Sequence, residues 1–349
     1  MTAALRVIGA GPGVTVQDAG RRGYMRFGVT PAGPMDFGAF AAALQAAGEP
    51  RGAAIEVSLG GLELEAEGGE IGLALAGGAF DIRLDGSALP PACSLTLAPG
   101  ARLSLRAGPS GAWAYVAPYG RFDLAPVLGS LATHTRAPFG GLSGRGLQAG
   151  DQIALLDVRA GPATPMAIEA PWLAPTLERI RVLLGPQDDF FAPETIEAFL
   201  ATPWRLSPRS DRMAYRLDGP PLSHLSGHDI VSDGLALGAI QVPGDGAPLV
   251  LMADRQPTGG YPKIAHVIGA DLGALAQKRA GEEVRFEAVS WEQAVAARRR
   301  RVELIGKGVR LRPLARREFS SEFLLERNLV SGAVSAQSSS QTSGQDDRD

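Results

Sequence analysis

Short runs of alternating apolar and polar residues, separated by turn residues, constrain this fold more than any other feature. The clearest runs are Ile71–Leu75, Phe80–Leu84, Leu95–Leu97, Leu103–Leu105 and Trp113–Val116. Turn-forming residues stand between them, and the chain contains 45 Gly and 26 Pro. Short strands at this spacing are typical of a sandwich or barrel and not of βαβ units. We therefore expect a mainly β fold with a few helices.

Helical signals interrupt the strand pattern at four places. The predicted helices are an Ala-rich segment over 37–47, a short helix beginning at Pro193, Asp271–Lys278 and Ser290–Ile305. Asp36 is a plausible N-cap of the first helix. Ser290 and Gln293 have the spacing of a capping box at the start of the last helix. Gly48 can close the first helix, and the third is expected to close near Gly281.

At 349 residues the chain is long enough for about two domains, each with its own core. Residues 158–172 are rich in Pro, Ala and Gly. We predict that they link an N-terminal β-rich subdomain, residues 1–157, to a C-terminal subdomain, residues 173–312. Residues 313–349 form a C-terminal extension. From about Ser331 it is rich in Ser, Gln and Asp, so it is predicted to be disordered.

Charge and cysteine content exclude several classes of function. A net charge of −3 with both signs interspersed argues against a nucleic-acid-binding surface. The single cysteine, Cys93, excludes an internal disulfide and a Cys-based zinc site, and no other metal site is predicted. No signal peptide and no run of about 20 apolar residues is recognisable. The sequence therefore predicts a cytoplasmic protein that does not contact membranes.

The segment Asp254–Lys263 carries the densest set of chemically active side chains. It follows the apolar run Leu249–Met252 and contains an acid, two cations, a hydroxyl and a Gly pair. Adjacent glycines let the backbone take a positive φ and bring its N–H groups close to a ligand. Arg255 and Lys263 can hold negative charge. Taken alone, the segment fits a ligand-binding loop or a tight Gly-Gly turn with a solvated rim equally well.

A glycine-punctuated loop over residues 16–24 is the second candidate. It combines an amide, a carboxylate and two guanidiniums, in the residues Gln17, Asp18, Arg21 and Arg22. This set favours an anion-binding loop that leads to a helix N-terminus. An Asp–Arg pair that braces a long loop is the alternative. The segment Ser210–Gly219 likewise fits a salt-bridged strand edge or a substrate contact.

Taken together, these motifs resemble the KipA/allophanate-hydrolase-subunit-2 family. The resemblance covers roughly residues 5–312. The motifs that carry it are Gln17-Asp18-x-Gly20-Arg21-x-Gly23-Tyr24, Gly33-x-Met35-Asp36, Ser210-Asp211-Arg212-Met213-x-Tyr215-Arg216-Leu217, Gly238–Pro243 and Asp254–Lys263. The family includes the C subunit of bacterial ATP-dependent 5-oxoprolinase and the carboxyltransferase domain of urea carboxylase.

The resemblance implies two cyclophilin-like β-barrel subdomains with a cleft between them. It implies that the chain acts with a KipI-like B subunit and uses ATP, with Mg, to phosphorylate 5-oxoproline. The A subunit of the 5-oxoprolinase would then complete hydrolysis to glutamate. One alternative is a biotin-dependent carboxyltransferase acting on urea or a related small amide, with biotin on a separate carrier. The other is a non-catalytic regulatory partner of a KipI-like protein.

Within this resemblance the motif residues receive expected roles. The expected catalytic residues are Asp18, Arg21, Asp254 and Lys263. The expected cofactor-binding residues are Arg255, Thr258, Gly259 and Gly260. The expected substrate contacts are Gln17, Tyr24, Arg212, Gln241 and Tyr261. Both enzymatic branches build negative charge in the transition state, which preorganised cations and N–H donors stabilise.

Overall fold

The chain folds around two large β-sheets with a few helices, which confirms the mainly β expectation. The computed structural model describes residues 3–173 and 177–314. One sheet has 12 strands, the other has 8, and a small two-stranded sheet stands apart from both. The strands curve into a nearly closed barrel. A sheet of this kind buries the apolar face of each alternating segment, which is why the sequence pattern is so regular.

The first sheet uses strands from the N-terminal half of the chain. They are β1 (Ala4–Ala10), β2 (Thr15–Gln17), β3 (Ala54–Val57), β4 (Leu62–Glu67), β5 (Ile71–Leu84), β6 (Ser87–Leu89), β7 (Cys93–Leu97), β8 (Arg102–Pro118), β9 (Arg121–Phe122), β10 (Gln152–Leu156) and β11 (Met166–Glu169). The central order is β11-β7-β5-β8-β4-β1-β10-β9, while β2 and β3 pair beside β8. Within β3, Glu56 pairs with Arg212, which precedes a strand of the second sheet.

The later strands build the second sheet and the small pair, except that the last of them, β22, is the twelfth strand of the first sheet. They are β12 (Ile180–Leu184), β13 (Trp204–Leu206), β14 (Ala214–Asp218), β15 (Asp233–Gly234), β16 (Ala239–Gln241), β17 (Leu249–Leu251), β18 (Thr258–Gly259), β19 (Lys263–Val267), β20 (Glu283–Val284), β21 (Phe286–Ala288) and β22 (Arg310–Pro313). The second sheet has the order β20-β13-β14-β17-β16-β19-β12-β21. Strands β15 and β18 pair only with each other, and β22 returns to β11.

The predicted helices are confirmed, with small differences at their ends. They are α1 (Phe37–Ala46), α2 (Pro193–Ala201), α3 (Leu272–Ala276) and α4 (Trp291–Gly306), and two 3-10 turns occur at Met25–Phe27 and Asp188–Phe190. The Asp36 side chain accepts from two N–H groups of α1, and Ser290 and Gln293 form the predicted capping box. Among the described residues, no helix has the length and apolar character needed to cross a membrane.

Two pairs of strands predicted as separate are in fact continuous. The runs at 71–75 and 80–84 are both parts of β5, and those at 103–105 and 113–116 are both parts of β8. The glycines between them do not form turns. A Cβ at Gly77 would overlap the backbone of Trp113, and a Cβ at Gly108 would overlap the carbonyl of Ala79. These glycines therefore allow two long strands to approach closely.

The division into subdomains at residues 157 and 172 stays a prediction. The stretch predicted as a linker, 158–172, contributes β11, which pairs with β7 of the first sheet. One hydrophobic cluster contains side chains of both sheets, including Tyr115 and Trp204. The predicted disorder from Ser331 onward falls outside the described residues.

Candidate functional site

The predicted site residues lie in two groups. The first lies where β2, the loop before α1 and the segments beside β14 and β17 meet, and contains Gln17, Asp18, Arg21, Arg212 and Asp254. The second surrounds the ends of β16, β18 and β19, and contains Gln241, Thr258, Gly259, Gly260, Tyr261 and Lys263. Arg255 lies between them in the chain. Within residues 3–173 and 177–314, no hydrogen bond or ion pair joins the two groups directly.

Arg212 is the centre of the first group. Its Nε and Nη2 donate to the two carboxylate oxygens of Asp254, each at 2.9 Å. Its Nη1 pairs with Glu56, and Nη2 also donates to the carbonyl of Gly33 at 2.8 Å. Burial opposes the charge of Arg212, but the two carboxylates outweigh burial and raise its pKa. The charge of Arg212 is therefore fully paired with carboxylates, and its guanidinium fixes both oxygens of Asp254.

Glu56 is an essential part of this network that the sequence did not single out. It lies on β3, fully buried, and accepts hydrogen bonds from the N–H of Met35 and the hydroxyl of Tyr115, both at 2.8 Å. Burial raises the pKa of Glu56, while Arg212 lowers it. The available sequence signal was an acid within the apolar run of β3, where a solvated charge is not expected.

Arg21 is a buried cation of a different kind. Its Nε donates to the carbonyl of Val127 at 3.3 Å and its Nη2 to that of Ala132 at 2.5 Å. The guanidinium stacks on Phe139, 4.6 Å from the ring centre, and Nη1 is buried without a hydrogen-bond partner. Burial lowers the pKa of Arg21, which nearby acids offset only in part. Arg21 has no carboxylate partner in the described part of the chain.

Asp18 and Gln17 are occupied by the protein itself. Asp18 braces its loop, but not through Arg21: its partners are the N–H groups of Gly20 and Leu131 and the hydroxyl of Ser130, at 2.6 to 2.8 Å. The buried amide of Gln17 contacts Thr15, Thr133 and Gly33. The predicted substrate contact Tyr24 is partly exposed and packs near Phe27. The roles predicted for these three residues stay predictions.

Arg255 resembles Arg21 in its surroundings. Its Nε donates to the carbonyl of Leu235 at 3.0 Å, and its Nη1 to that of Met252 at 3.4 Å. Burial lowers the pKa of Arg255 to about 10, although the adjacent Asp254 raises it. Among the described residues its charge, like that of Arg21, is met by backbone carbonyls and by no directly paired acid.

Lys263 begins β19, and its ammonium is paired with an acid that the sequence analysis did not identify. Its Nζ donates to Asp233 on β15 at 2.6 Å. The hydrogen bond from Lys263, together with the N–H of Gly234, lowers the pKa of Asp233. No sequence motif marks Asp233. It reaches Lys263 only because β15 pairs with β18, which the local sequence does not indicate.

The Gly259-Gly260 pair does not act through a positive φ, so that expectation is wrong. Gly259 lies in the ladder with β15, where a Cβ would lie 2.8 Å from Leu235 and 3.0 Å from Gln241. Its smallness, and not its backbone freedom, suits this position. Thr258 and Tyr261 are exposed beside it, and Gln241 donates to the carbonyl of Tyr261 at 3.1 Å.

A cleft of about 700 Å³ lies between the two sheets; the family resemblance implies a cleft between the two subdomains. Arg212 and Asp254 reach its wall, together with Trp113 of the first sheet and Tyr215 of the second. The indole N–H of Trp113 donates to the hydroxyl of Tyr215 at 2.9 Å and so connects the sheets. In the described ranges no group of three or more His, Cys, Asp or Glu side chains could hold a metal ion.

Three comparisons place this architecture among known proteins. The chain is 38% identical over 297 residues to the 5-oxoprolinase C subunit of Escherichia coli, covering 84% of this chain and 94% of that protein. It is 33% identical over 314 residues to the urea amidolyase of Saccharomyces cerevisiae, covering 83% of this chain but 17% of that protein. The crystal structure of the Kluyveromyces lactis urea amidolyase aligns with a TM-score of 0.80 at 29% identity, over 87% of this chain and 20% of that one.

Residues 27–288 match the carboxyltransferase domain, subdomains A and B. The matched range contains the Arg212 network, Arg255 and Lys263, while Gln17, Asp18 and Arg21 precede it. The relatives align with more than four fifths of the chain. The resemblance inferred from the motifs is thereby confirmed, and the chain belongs to the carboxyltransferase domain family.

Proposed function

We propose that this chain is the C subunit of an ATP-dependent 5-oxoprolinase, acting with a KipI-like B subunit to activate 5-oxoproline by phosphorylation. The observation that carries the proposal is the pair of buried guanidiniums, Arg21 and Arg255, which have no directly paired carboxylate among the described residues. Buried charges in proteins are normally paired. An anionic ligand would supply the missing countercharge.

The ligands of this reaction match that need. 5-Oxoproline carries a carboxylate beside its cyclic amide, and ATP carries phosphates. Bound ATP, with Mg, would supply the phosphoryl group that activates the amide. Arg255 would hold phosphate oxygens, with the exposed hydroxyl of Thr258 and the Gly259-Gly260 backbone nearby. A guanidinium suits this task because its planar fork matches carboxylate and phosphate oxygens.

The other residues would orient the reacting groups. Arg212 holds both oxygens of Asp254 in one geometry, so Asp254 presents its remaining lone pairs in a fixed direction. Arg21 would then bind the growing negative charge, which is the step where preorganised donors contribute most. Lys263 would add a further positive charge. Opening of the activated ring would be completed with the A subunit.

A biotin-dependent carboxyltransferase acting on urea or a related amide is the second candidate. The family to which the chain belongs and the structural match to urea amidolyase favour it. The same cations would stabilise a carboxyl group in transfer, with biotin delivered on a separate carrier. The chain matches the 5-oxoprolinase C subunit over nearly that protein's whole length, which favours the first candidate.

The test is a reconstitution assay. The chain is purified with its KipI-like partner, and ATP consumption is measured with 5-oxoproline or urea, with and without the A subunit. We expect ATP consumption that depends on 5-oxoproline. Turnover only with urea and a biotinylated carrier would establish the carboxyltransferase instead. No turnover with either substrate would favour the non-catalytic, regulatory hypothesis.

A further inference from the structure

The pairing of Lys263 with Asp233 is asymmetric in its access to solvent. The Lys263 side chain is 1% exposed, whereas the Asp233 side chain is 52% exposed. Within the described residues, this contact of 2.6 Å is the only hydrogen bond that the Lys263 ammonium makes to a side chain. Asp233 therefore forms the solvent-facing side of the pair.

Lys263 and Asp233 also differ in how firmly the fold holds them. Lys263 is on β19, an interior strand of the eight-stranded sheet with β16 on one side and β12 on the other. Asp233 is on residues 230–234, which we call the lid segment and which ends before the buried Leu235. Two residue pairs with β18 and the backbone hydrogen bond from Ile230 to Gly260 hold this segment, while Leu235 beyond it is fixed by hydrogen bonds to Pro257 and from Arg255. Moving the lid segment breaks far fewer interactions than moving Lys263.

We propose that Asp233 is a resident counter-ion of Lys263, which an anionic group of the ligand replaces when the lid segment opens. The inference rests on the proposed use of Lys263 as an anion-binding group. A buried ammonium that loses its only carboxylate is strongly destabilised unless another negative charge takes its place. The replacing group must therefore be an anion, namely a carboxylate or a phosphate, and a neutral amide does not suffice.

The first test measures anion binding to the full chain alone by calorimetry, using inorganic phosphate in one arm and 5-oxoproline in the other. Asp233→Asn removes the competing charge and retains the shape, so we expect at least ten-fold tighter binding of one of the two anions. The arm that responds identifies the group as phosphate or carboxylate. Equal or weaker binding of both anions would overturn the proposal.

Asp245→Asn is the matched control. Asp245 pairs with Arg216 at the same distance, 2.6 Å, and its side chain is 53% exposed, yet it is not at the site. Its substitution should leave anion binding unchanged. Adding Lys263→Gln to Asp233→Asn should abolish the gain. If Lys263→Gln alters binding in neither background, the proposed use of Lys263 fails. If it weakens binding but Asp233→Asn does not tighten it, only the counter-ion inference fails.

A second test keeps both charges and so does not depend on the folding of Asp233→Asn. Gly234 and Thr258 face each other in the β15–β18 ladder, and a Cβ at Gly234 would meet no atom within 4 Å. The double variant Gly234→Cys/Thr258→Cys should form a disulfide that holds the lid segment closed. The native Cys93 is buried, so it does not compete for the new thiols. We expect oxidation to weaken anion binding at least ten-fold and reduction to restore it. Equal binding in both states would contradict an opening lid.

Discussion

At the scale of single residues, the candidate site is defined by how each cation is paired. Arg212 is neutralised by Glu56 and Asp254, and Lys263 is neutralised by Asp233. Arg21 and Arg255 contact backbone carbonyls instead. A carbonyl dipole offsets only part of a full charge, so among the four cations of the candidate site the unmet positive charge is concentrated on these two guanidiniums.

Arg21→Lys tests whether this charge recognises a ligand. Lysine retains the charge but loses the planar fork and the stacking on Phe139. A charge-assisted hydrogen bond contributes about 1.5–3 kcal/mol, so the Kd for the bound anion should rise by roughly 10- to 100-fold. Calorimetric titration with 5-oxoproline or phosphate measures it. The exposed neighbour Arg22 is the control, since Arg22→Lys should leave the Kd unchanged. An unchanged Kd in Arg21→Lys would contradict the role of Arg21 in binding the anion.

His134 makes the stability of this region depend on pH. Its Nδ1 accepts a hydrogen bond from the N–H of Ala137 at 2.9 Å, which requires that nitrogen to be unprotonated. Burial lowers the pKa of His134, Asp254 raises it, and Arg21 is among the cations that lower it further. With the folded pKa depressed, the unfolded chain takes up the proton first as pH falls. The stabilisation is therefore present above about pH 6.5 and is lost as pH falls through the folded pKa.

The pH effect is measured by urea unfolding of the parent chain and His134→Gln at pH 7.5 and 5.5. We expect the parent to lose more stability, by at most about 1.4 kcal/mol per pH unit. The pKa of His266 is also lowered by burial, but His266 is present in both proteins and its contribution cancels. Equal losses in the two proteins would show that His134 is not held neutral.

At the scale of elements, the crossing of β5 and β8 organises the first sheet. These strands, 14 and 17 residues long, pair with each other through two shifts of register. Each shift occurs near a glycine, where the two backbones approach too closely for a side chain. The strands can therefore bend without ending, and β8 extends along the sheet to pair with β3, the strand that carries Glu56.

Gly108→Ala should weaken the fold at this crossing. The added Cβ would overlap the carbonyl oxygen of Ala79, which is backbone and cannot swing away. Overpacking of this kind typically costs about 1–3 kcal/mol of unfolding free energy. Gly9→Ala is the control, because a Cβ at Gly9 meets nothing within 4 Å. Chemical denaturation compares the two, and equal stabilities would mean that the strands separate easily at Gly108.

At the scale of the whole molecule, buried polar contacts connect the two sheets across the cleft. Glu56 of the first sheet pairs with Arg212, which precedes β14 of the second. Trp113 of the first sheet donates to Tyr215 of the second at 2.9 Å. Since Arg212 also orients Asp254, the relative position of the sheets and the geometry of the candidate site depend on the same contacts.

Glu56→Gln should therefore affect stability and site geometry together. Arg212 stays paired with Asp254, but the charge-assisted hydrogen bond to Glu56 is lost, which typically costs about 1.5–3 kcal/mol. Denaturant unfolding measures the loss. Glu63→Gln removes a pairing with the exposed Arg106 and should cost no more than about 1 kcal/mol. Similar small losses in both variants would show that Glu56 does not hold the sheets together.

The sequence alone determined the features that depend on neighbouring residues. Alternation marked the strands, Asp36 and the Ser290–Gln293 box marked helix starts, and ordered motifs indicated the family. These signals act over a few residues, so no knowledge of the fold is needed to recognise them. The same limit explains the error at Gly77 and Gly108, because a glycine in a turn and a glycine at a close crossing have the same local appearance.

Only the tertiary structure decided which charges meet. Glu56 and Arg212 are 156 residues apart in the chain, and Asp233 is 30 residues from Lys263. Nothing local to Asp233 distinguishes a countercharge from a solvated acid, and the apolar run around Glu56 does not indicate which cation it meets. Whether a cation is neutralised depends on which distant segments the sheets bring together and on how completely they exclude water. For that reason the sequence identified the cations, while the fold determined which of the four candidate-site cations, Arg21, Arg212, Arg255 and Lys263, are paired with an acid and which two, Arg21 and Arg255, are not.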